Sequence, residues 1–230
     1  CAVHREELMR SKVADDNIDV NDNIEPVGSG AMSVSARPYH HGNLRLELLD
    51  HAERALSDGG IRELSLRELA RRAGVSHAAP RRHFSDKQAL LDALAEDGFV
   101  RLGGELQDAM QAAGETFDAR LGAFAHAYVR FATEHAALLE LMFAVKHQPD
   151  ADDTLRQAAE QAFAAPRELV TRAQAAGEIV AGDPERVAMV AFAALQGLAS
   201  MINGGMVDEA DRDALVADAV ERLLLGLRPR

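Results

Sequence analysis

The sequence has a single cysteine, Cys1, no tryptophan, and only two tyrosines and eight phenylalanines among its 230 residues. One cysteine excludes a disulfide framework and a cysteine-based metal site within the chain, and it suits a protein of the reducing cytoplasm. Alanine and leucine recur throughout, while aromatic residues make up only 4%, a balance that favours helices over strands. A chain of this length can bury a core without disulfides or metals. We therefore expect an all-α, cytoplasmic protein.

The sequence also lacks a long uninterrupted apolar run and any enzyme motif. Its longest apolar stretch, residues 187–202, is interrupted by Gln196 and Ser200 and is shorter than the ~20 residues of a membrane span. The side chains of His40 and His41 diverge, and no partner cluster accompanies them at metal-ligand spacing. No nucleophile elbow, phosphate-binding loop or zinc-protease motif occurs. We expect no membrane partner, no metal, no cofactor and no catalytic residue.

Positive charge is scarce overall but is concentrated in one segment. The net charge is −12, divided as −4 in residues 1–36, +3 in residues 37–90 and −11 in residues 91–230. Residues 37–90 also hold five of the nine histidines. A local basic face matters more for DNA binding than the total charge. Ordinary variation of surface charge is the alternative explanation, so the charge pattern alone does not decide the partner.

Capping residues mark the first helices. Hydrophobic residues at helical spacing from Leu44 to Leu56 follow Asn43, a plausible N-cap, and Asp58-Gly59-Gly60 ends the run. Ser65-Leu66-Arg67-Glu68 has the pattern of a capping box, in which serine and glutamate each bond to the other's backbone N–H. Gly74 follows this short helix where a residue that tolerates positive φ is needed. Two short helices separated by a tight turn are therefore expected, with the turn at 74–76.

Further capping patterns continue along the chain. Ser76 is expected to cap a third short helix that reaches Phe84, and Ser85-Asp86-Lys87-Gln88 has the pattern of a second capping box at the start of a long helix. Apolar spacing predicts the remaining helices at 116–135, 137–146, 151–176, 184–203 and 210–227. By contrast, residues 1–36 are polar and aperiodic, so we expect a disordered tail or an expression-derived leader there.

Three stretches of the basic segment resemble a known family. They are Ser65-Leu66-Arg67-Glu68-Leu69-Ala70, then Ala73-Gly74-Val75-Ser76, then His83-Phe84-Ser85-Asp86-Lys87-Gln88-Ala89-Leu90-Leu91. Together they resemble the DNA-binding domain of the tetracycline-repressor (TetR) family, over residues 37–91. Residues 192–199 are similar to a Trp-x-x-x-His-Gly stretch of one subgroup, with Phe192 and Gln196 in place of the Trp and the His.

This resemblance implies a fold and a function. The implied fold is an N-terminal three-helix helix-turn-helix DNA-binding domain at 37–86, followed by a C-terminal helical ligand-binding and dimerisation domain at 87–230. The implied partners are duplex DNA, a small-molecule effector and a second copy of the chain, paired through the last two helices. A helix at 184–203 that is apolar nearly all round and a striped helix at 210–227 also favour a homodimer.

In a helix-turn-helix, the second helix of the motif places its side chains in the major groove. Arginine pairs with guanine, alanine can touch the thymine methyl group, and phosphates accept from most donors. Arg81 stands where the family commonly has a tyrosine, and Pro80 is expected to move Ala79 away from helical dihedrals. The candidate DNA contacts are Arg37, His41, Ser65, Arg67, Ser76, His77, Ala78, Arg81, Arg82, His83 and Lys87.

Aromatic and methionine side chains of the C-terminal region are candidates for a ligand pocket, because such side chains suit irregular cavities. Ordinary core packing is the alternative for each of them. Tyr128 is the strongest individual candidate, since a buried hydroxyl needs a partner. The candidate pocket residues are Phe99, Phe124, Tyr128, Phe131, Met142, Phe143, Phe163, Met189 and Phe192.

Three hypotheses follow from these patterns. The first is a ligand-responsive repressor that binds a palindromic operator and is released by a small molecule. The second is a DNA-binding activator or structural protein without a ligand, which would have a filled C-terminal core. The third is an enzyme on a helical scaffold, which would need a perturbed catalytic cluster in a pocket, and we do not expect one.

Overall fold

A computed structural model describes residues 44–149 and 151–229 of the chain, and this part is entirely helical apart from turns and loops. The all-α prediction is confirmed, since the described residues contain no β-strand. The α-helices are α1 (Leu44–Gly59), α2 (Leu66–Arg72), α3 (Lys87–Ala112), α4 (Phe117–Glu134), α5 (Ala136–Lys146), α6 (Asp153–Ala162), α7 (Ala164–Ala175), α8 (Pro184–Asn203) and α9 (Arg212–Leu227). Predictions for residues 1–36 and for Asn43 lie outside the described residues.

Helix α2 begins at the residue that the capping pattern predicts. Ser65 lies in an extended conformation, and its hydroxyl accepts a hydrogen bond from the Glu68 N–H at 3.2 Å. The reciprocal half of the box is absent, because the Glu68 carboxylate binds Arg71 and Arg72 instead of the Ser65 N–H. Gly74 follows α2 with a φ of 66°, as a turn residue without a side chain allows.

The second predicted capping box is wrong in its register. The N-cap of α3 is Asp86, whose side chain accepts from the Ala89 N–H at 2.9 Å, and Ser85 donates its hydroxyl proton to the Asp86 carboxylate. A carboxylate that is stabilised by backbone N–H groups and a neighbouring hydroxyl has a lowered pKa, and the pKa of Asp86 is lowered by the Ala89 and Ser85 bonds in that order. Asp86 itself therefore occupies the N-terminus of α3.

The third predicted helix, residues 76–84, is not a regular α-helix. It consists of turns and one 3₁₀ helix, Pro80–Arg82. Pro80 has no N–H to reach the Ser76 carbonyl four residues back, and that carbonyl accepts from Ala79 at 2.9 Å instead. The expected displacement of Ala79 is also wrong, because its dihedrals are φ −63° and ψ −47°, which are helical. We call residues 76–84 the reading segment.

The C-terminal helices pack around α3, which contacts α4, α5 and α6. Four of the five predicted helices agree with α4, α5, α8 and α9 to within two residues. The predicted helix at 151–176 is wrong, because α6 and α7 are separate helices that meet at Phe163. In a continuous helix Pro166 would leave the Ala162 carbonyl without a donor and clash with it, whereas in the first turn of α7 its missing N–H costs nothing.

Helix α8 is apolar but largely exposed. By length and composition it is the one helix among the described residues that could cross a membrane, and only 17% of its most apolar 18-residue window is buried. It is longer than the apolar run in the sequence because Pro184 and the two residues after it add a turn. Its exposed residues include Met189, Val190 and Met201. Exposed apolar surface of this kind marks a contact with another molecule.

Candidate DNA-binding surface and ligand cavity

The reading segment presents unpaired positive charge to solvent. Arg81, Arg82 and His77 are exposed, and so is Arg67 at the start of α2. Within residues 44–149 and 151–229, none of these three arginines makes a hydrogen bond or an ion pair through its guanidinium. A guanidinium that has no internal partner keeps its donors available for phosphates and base edges. This surface has the chemistry that a nucleic-acid contact needs.

Neighbouring cations are already paired within the protein. Arg71 and Arg72 donate to the Glu68 carboxylate at 2.6–2.9 Å, and the bonds from Arg71 and then Arg72 lower the pKa of Glu68 to about 2. Lys87 donates to the Ile61 carbonyl at 2.6 Å, which uses one of its three donors. Glu68 therefore pairs with Arg71 and Arg72 on α2, whereas the arginines in and around the reading segment have no ion-pair partner among the described residues.

A buried aromatic residue holds the reading segment against the rest of the domain. Phe84 is almost fully buried, and the guanidinium of Arg45 on α1 lies 5.8 Å from the centre of its ring. Pro80 is buried as well. The side chains between these two anchors are therefore directed outwards, as in a segment built to present side chains to a partner.

All the described candidates for DNA contact are exposed. They are Ser65, Arg67, Ser76, His77, Ala78, Arg81, Arg82, His83 and Lys87. The hydroxyl of Ser65 accepts a bond as N-cap and keeps its own proton for a phosphate. Arg37 and His41 lie outside the described residues.

A cavity of about 400 Å³ lies among helices α4 to α8. This volume lies within the range of about 300–1,000 Å³ that is typical of small-molecule sites. The break between α6 and α7 places Phe163 and Pro166 in the wall of the cavity. The interruption of the predicted helix at 151–176 therefore helps to form this cavity. The lining residues are Leu121, Phe124, Phe143, Lys146, His147, Arg156, Ala159, Glu160, Phe163, Pro166, Arg167, Leu169, Val170, Glu185, Ala188, Met189, Ala191 and Phe192.

The structure divides the candidate pocket residues into two groups. Five of them line the cavity, namely Phe124, Phe143, Phe163, Met189 and Phe192. The other four, Phe99, Tyr128, Phe131 and Met142, are fully buried and do not line it. These four side chains lie in the core, and residue type alone does not reveal which side chains face the cavity. The charged members of the wall were not among the candidates.

Tyr128 supports the wall of the cavity from behind. Its ring centre lies 5.0 Å from that of Phe192 in an edge-to-face arrangement, and its hydroxyl donates to the Gln196 side-chain carbonyl on α8. Burial raises the pKa of Tyr128, so the hydroxyl stays protonated and remains a donor. The buried Tyr128 hydroxyl thus finds its hydrogen-bond partner within the protein, and the bond joins α4 to α8.

A charged cluster joins α1 to the helices that form the cavity. Glu53 on α1 accepts from Arg101 on α3 at 2.5 Å and pairs with His135 at 2.7 Å, and its side chain is only 17% exposed. His135 is the residue that immediately precedes α5. Burial alone would raise the pKa of Glu53, but the bonds and charges of Arg101 and His135 outweigh it and lower that pKa.

Glu53→Gln is expected to lower the free energy of unfolding at pH 7 by about 1–3 kcal/mol, because Arg101 loses its nearest charged partner in a half-buried site. The pKa of Glu53 is lower in the folded protein, so its contribution is present above the usual carboxyl pKa of 4.5 and is lost as the pH falls through the folded value. Urea unfolding between pH 7 and pH 3.5 measures this. The exposed Glu47→Gln on the same helix is the control, and an equal effect of both variants at every pH would contradict the prediction.

An exposed helix-turn-helix with unpaired arginines, followed by a helical domain that contains a cavity open to solvent, is typical of a helical DNA-binding regulator. Family models match both parts: residues 48–94 match "Bacterial regulatory proteins, tetR family", and residues 121–223 match "Tetracyclin repressor-like, C-terminal domain". The chain belongs to the TetR family of transcriptional regulators. No curated protein is similar enough to match it.

Solved structures agree with this assignment. A protein of unknown function from Rhodococcus sp. RHA1 is 48% identical, with a TM-score of 0.78 over 84% of this chain and 100% of that one. A putative TetR-family transcriptional regulator from Rhodococcus sp. is 22% identical, with a TM-score of 0.63 over 80% and 99%. The regulator FadR from Bacillus subtilis, in complex with stearoyl-CoA, is 16% identical, with a TM-score of 0.63 over 80% and 99%. The last two share the fold.

The described part of the chain offers no candidate metal site. Residues 44–149 and 151–229 contain no group of three or more His, Cys, Asp or Glu side chains placed to hold a metal ion. The family and its structural neighbours point to a DNA-binding regulator without enzymatic activity.

Proposed function

We propose that this protein is a ligand-responsive transcriptional repressor of the cytoplasm. Two copies bind a palindromic operator with residues 37–86, and a small apolar or amphipathic molecule that enters the cavity in residues 87–230 releases them. The observation that carries this proposal is the cavity of about 400 Å³ within the C-terminal helices. A DNA-binding protein without a ligand, which is the alternative hypothesis, has no need of such a space and would fill it with side chains.

The placement of α5 supports coupling between the cavity and DNA. His135, just before α5, contacts Glu53 on α1, and Phe143 and Lys146 near its other end line the cavity. A ligand that displaces α5 therefore acts on the cluster that positions α1. The FadR structure with stearoyl-CoA shows that a neighbour with this fold binds a small molecule. Coupling of this kind typically changes affinity 5- to 150-fold.

The exposed faces of α8 and α9 support a twofold dimer. Val190 on α8 and Leu225 on α9 are apolar and exposed in the single chain. Pairing both helices with those of a second copy forms a four-helix contact that covers them. Twofold symmetry then sets the two reading segments in successive major grooves, about 34–36 Å apart. Within each copy, we assign base contacts to His77 and Ala78, a base or a phosphate contact to each of Arg81 and Arg82, and phosphate contacts to the other exposed candidates.

Filling the cavity is expected to separate DNA binding from ligand response. Ala188 lines the cavity, so Ala188→Phe should bind the operator normally and fail to be released. The operator is first selected from random duplexes, and a metabolite library is then screened for molecules that raise the melting temperature of the wild type and lower its operator affinity 5- to 150-fold. Operator affinity with and without each molecule is measured by fluorescence anisotropy.

The matched control is Ala175→Phe, an equal enlargement at the exposed end of α7 outside the cavity wall. This variant should respond as the wild type does. Release of the Ala188→Phe variant at the same ligand concentration would place the ligand elsewhere. Selected duplexes without twofold symmetry would contradict the dimeric, palindromic part of the proposal.

A further inference from the structure

Within the described residues, one cation of the cavity wall has no counter-charge. Lys146, at the end of α5, is half-buried, and its ammonium lies 4.5 Å from the ring centre of Phe143 and 5.6 Å from that of Phe99. Within the described ranges no residue forms a hydrogen bond or an ion pair with this ammonium group. Burial lowers the pKa of Lys146, as expected for an ammonium that has lost water without gaining an anion.

The other cations of the wall are held by groups of the protein itself. Arg156 donates to the Asp153 carboxylate at 2.9 Å and to the Pro149 carbonyl at 3.2 Å. Arg167 donates to the Glu160 carbonyl at 2.9 Å and lies 3.8 Å from the Glu185 carboxylate. These guanidiniums are oriented by their own partners.

The acidic members of the wall do not provide the missing charge. Glu185 is exposed and faces Arg167, and Glu160 is exposed on α6 without an ion pair to Lys146. The remaining polar residue, His147, is exposed beside Lys146. The wall around Lys146 is otherwise apolar and rich in aromatic rings, such as Phe124, and this environment strengthens the attraction of an ammonium for an anion.

We propose that the cavity binds an amphipathic carboxylate, whose charged head pairs with Lys146 and whose aliphatic or aromatic body lies among Phe124, Phe163 and Phe192. This inference rests on the proposed function of the cavity as an effector site and adds the chemistry of the effector. The volume of about 400 Å³ is near the lower end of the range for small-molecule sites, so it suits a free acid rather than a large conjugate.

The test uses four ligands with the same chain: decanoate, 1-decanol, decyltrimethylammonium and decanoyl-coenzyme A. Isothermal titration calorimetry on the full chain at pH 7 should give the highest affinity for decanoate, a lower affinity for decanol and the lowest for decyltrimethylammonium. The affinity for decanoate should exceed that for decanol by about tenfold. The thioester carries no charge at the chain end, so decanoyl-coenzyme A should bind more weakly than decanoate.

Lys146→Met keeps the length of the side chain and removes its charge, so decanoate and decanol should bind this variant equally. Lys146→Arg should retain the preference for decanoate, and Arg172→Gln, which removes an exposed charge from α7 outside the cavity, should leave it unchanged. Circular dichroism confirms that each variant is folded. If one variant does not fold, the relative affinities of the wild type and of the other variants for these ligands still test the proposal.

The outcomes separate this inference from the proposed function. Equal binding of decanoate and decanol to the wild type, tighter binding of decanoyl-coenzyme A, or a preference for decanoate that survives in Lys146→Met would each overturn the carboxylate inference and leave an effector cavity in place. Failure of every ligand to bind, together with a metabolite screen that yields no releasing molecule, would overturn both.

Discussion

Replacing Val190 and Leu225 by glutamate is expected to convert the protein into a monomer that binds its operator at least 100-fold more weakly. Both side chains are about two-thirds exposed in the single chain, so the substitutions leave its own core intact. In the proposed dimer they would bury four unpaired carboxylates at one contact, which is strongly unfavourable. A monomer has one reading segment and loses the avidity of the second, worth ~10²–10⁴-fold.

Sedimentation equilibrium at micromolar concentration measures the oligomeric state, and fluorescence anisotropy measures operator affinity. Val100→Glu is the matched control, because Val100 is equally apolar and exposed but lies on α3. This control should remain dimeric with unchanged affinity. A monomeric wild type, or a double variant that still dimerises, would show that the interface lies elsewhere.

Operator binding is expected to weaken by ~10³-fold between 50 and 200 mM salt if about six phosphates are neutralised, because bound cations displace counterions from the DNA. The double variant Arg81→Ala/Arg82→Ala removes two unpaired guanidiniums from the reading segment. For every phosphate that is no longer neutralised, the slope of log affinity against log salt should fall by ~0.9. A smaller reduction in slope together with weaker discrimination between sequences would assign one of the two arginines to a base.

Arg71 provides the comparison for this experiment. It is also an exposed arginine on the DNA-binding domain, but the Glu68 carboxylate already holds it. Arg71→Ala should therefore change the salt slope little. If it reduces the slope as much as the removal of Arg81 and Arg82 does, the distinction between paired and unpaired cations does not identify the DNA-contacting surface.

The helix starts were predictable from the sequence where a side chain caps a backbone group locally. Ser65 accepts the bond that its position predicts, because such a bond spans only three residues. The break at Phe163 was missed, although Pro166 was a signal in the sequence. A proline is compatible with the first turn of a new helix, and the alanine-rich flanks concealed the boundary between the two helices.

The site could be predicted only in part, for a related reason. Residue type identifies Phe124 and Phe131 equally well as pocket candidates, but both lie on α4, and only the packing of α4 against its neighbours places Phe124 at the cavity and Phe131 in the core. Lys146 was missed because a lone lysine at the end of a helix is usually a solvated residue. Its lack of a counter-charge among the described residues becomes visible only when α5 is packed against its neighbours.

Helix α5 has eleven residues, with His135 in the Glu53 cluster before its first turn and Lys146 in the cavity wall at its last. If α5 couples the cavity to the DNA-binding domain, the coupling free energy changes the affinity for the effector and the affinity for DNA by the same factor. An effector that weakens operator binding by about tenfold is itself bound about tenfold more weakly by the protein on its operator. In the proposed mechanism, the effector concentration that releases the protein from its operator therefore exceeds the dissociation constant measured on the free protein.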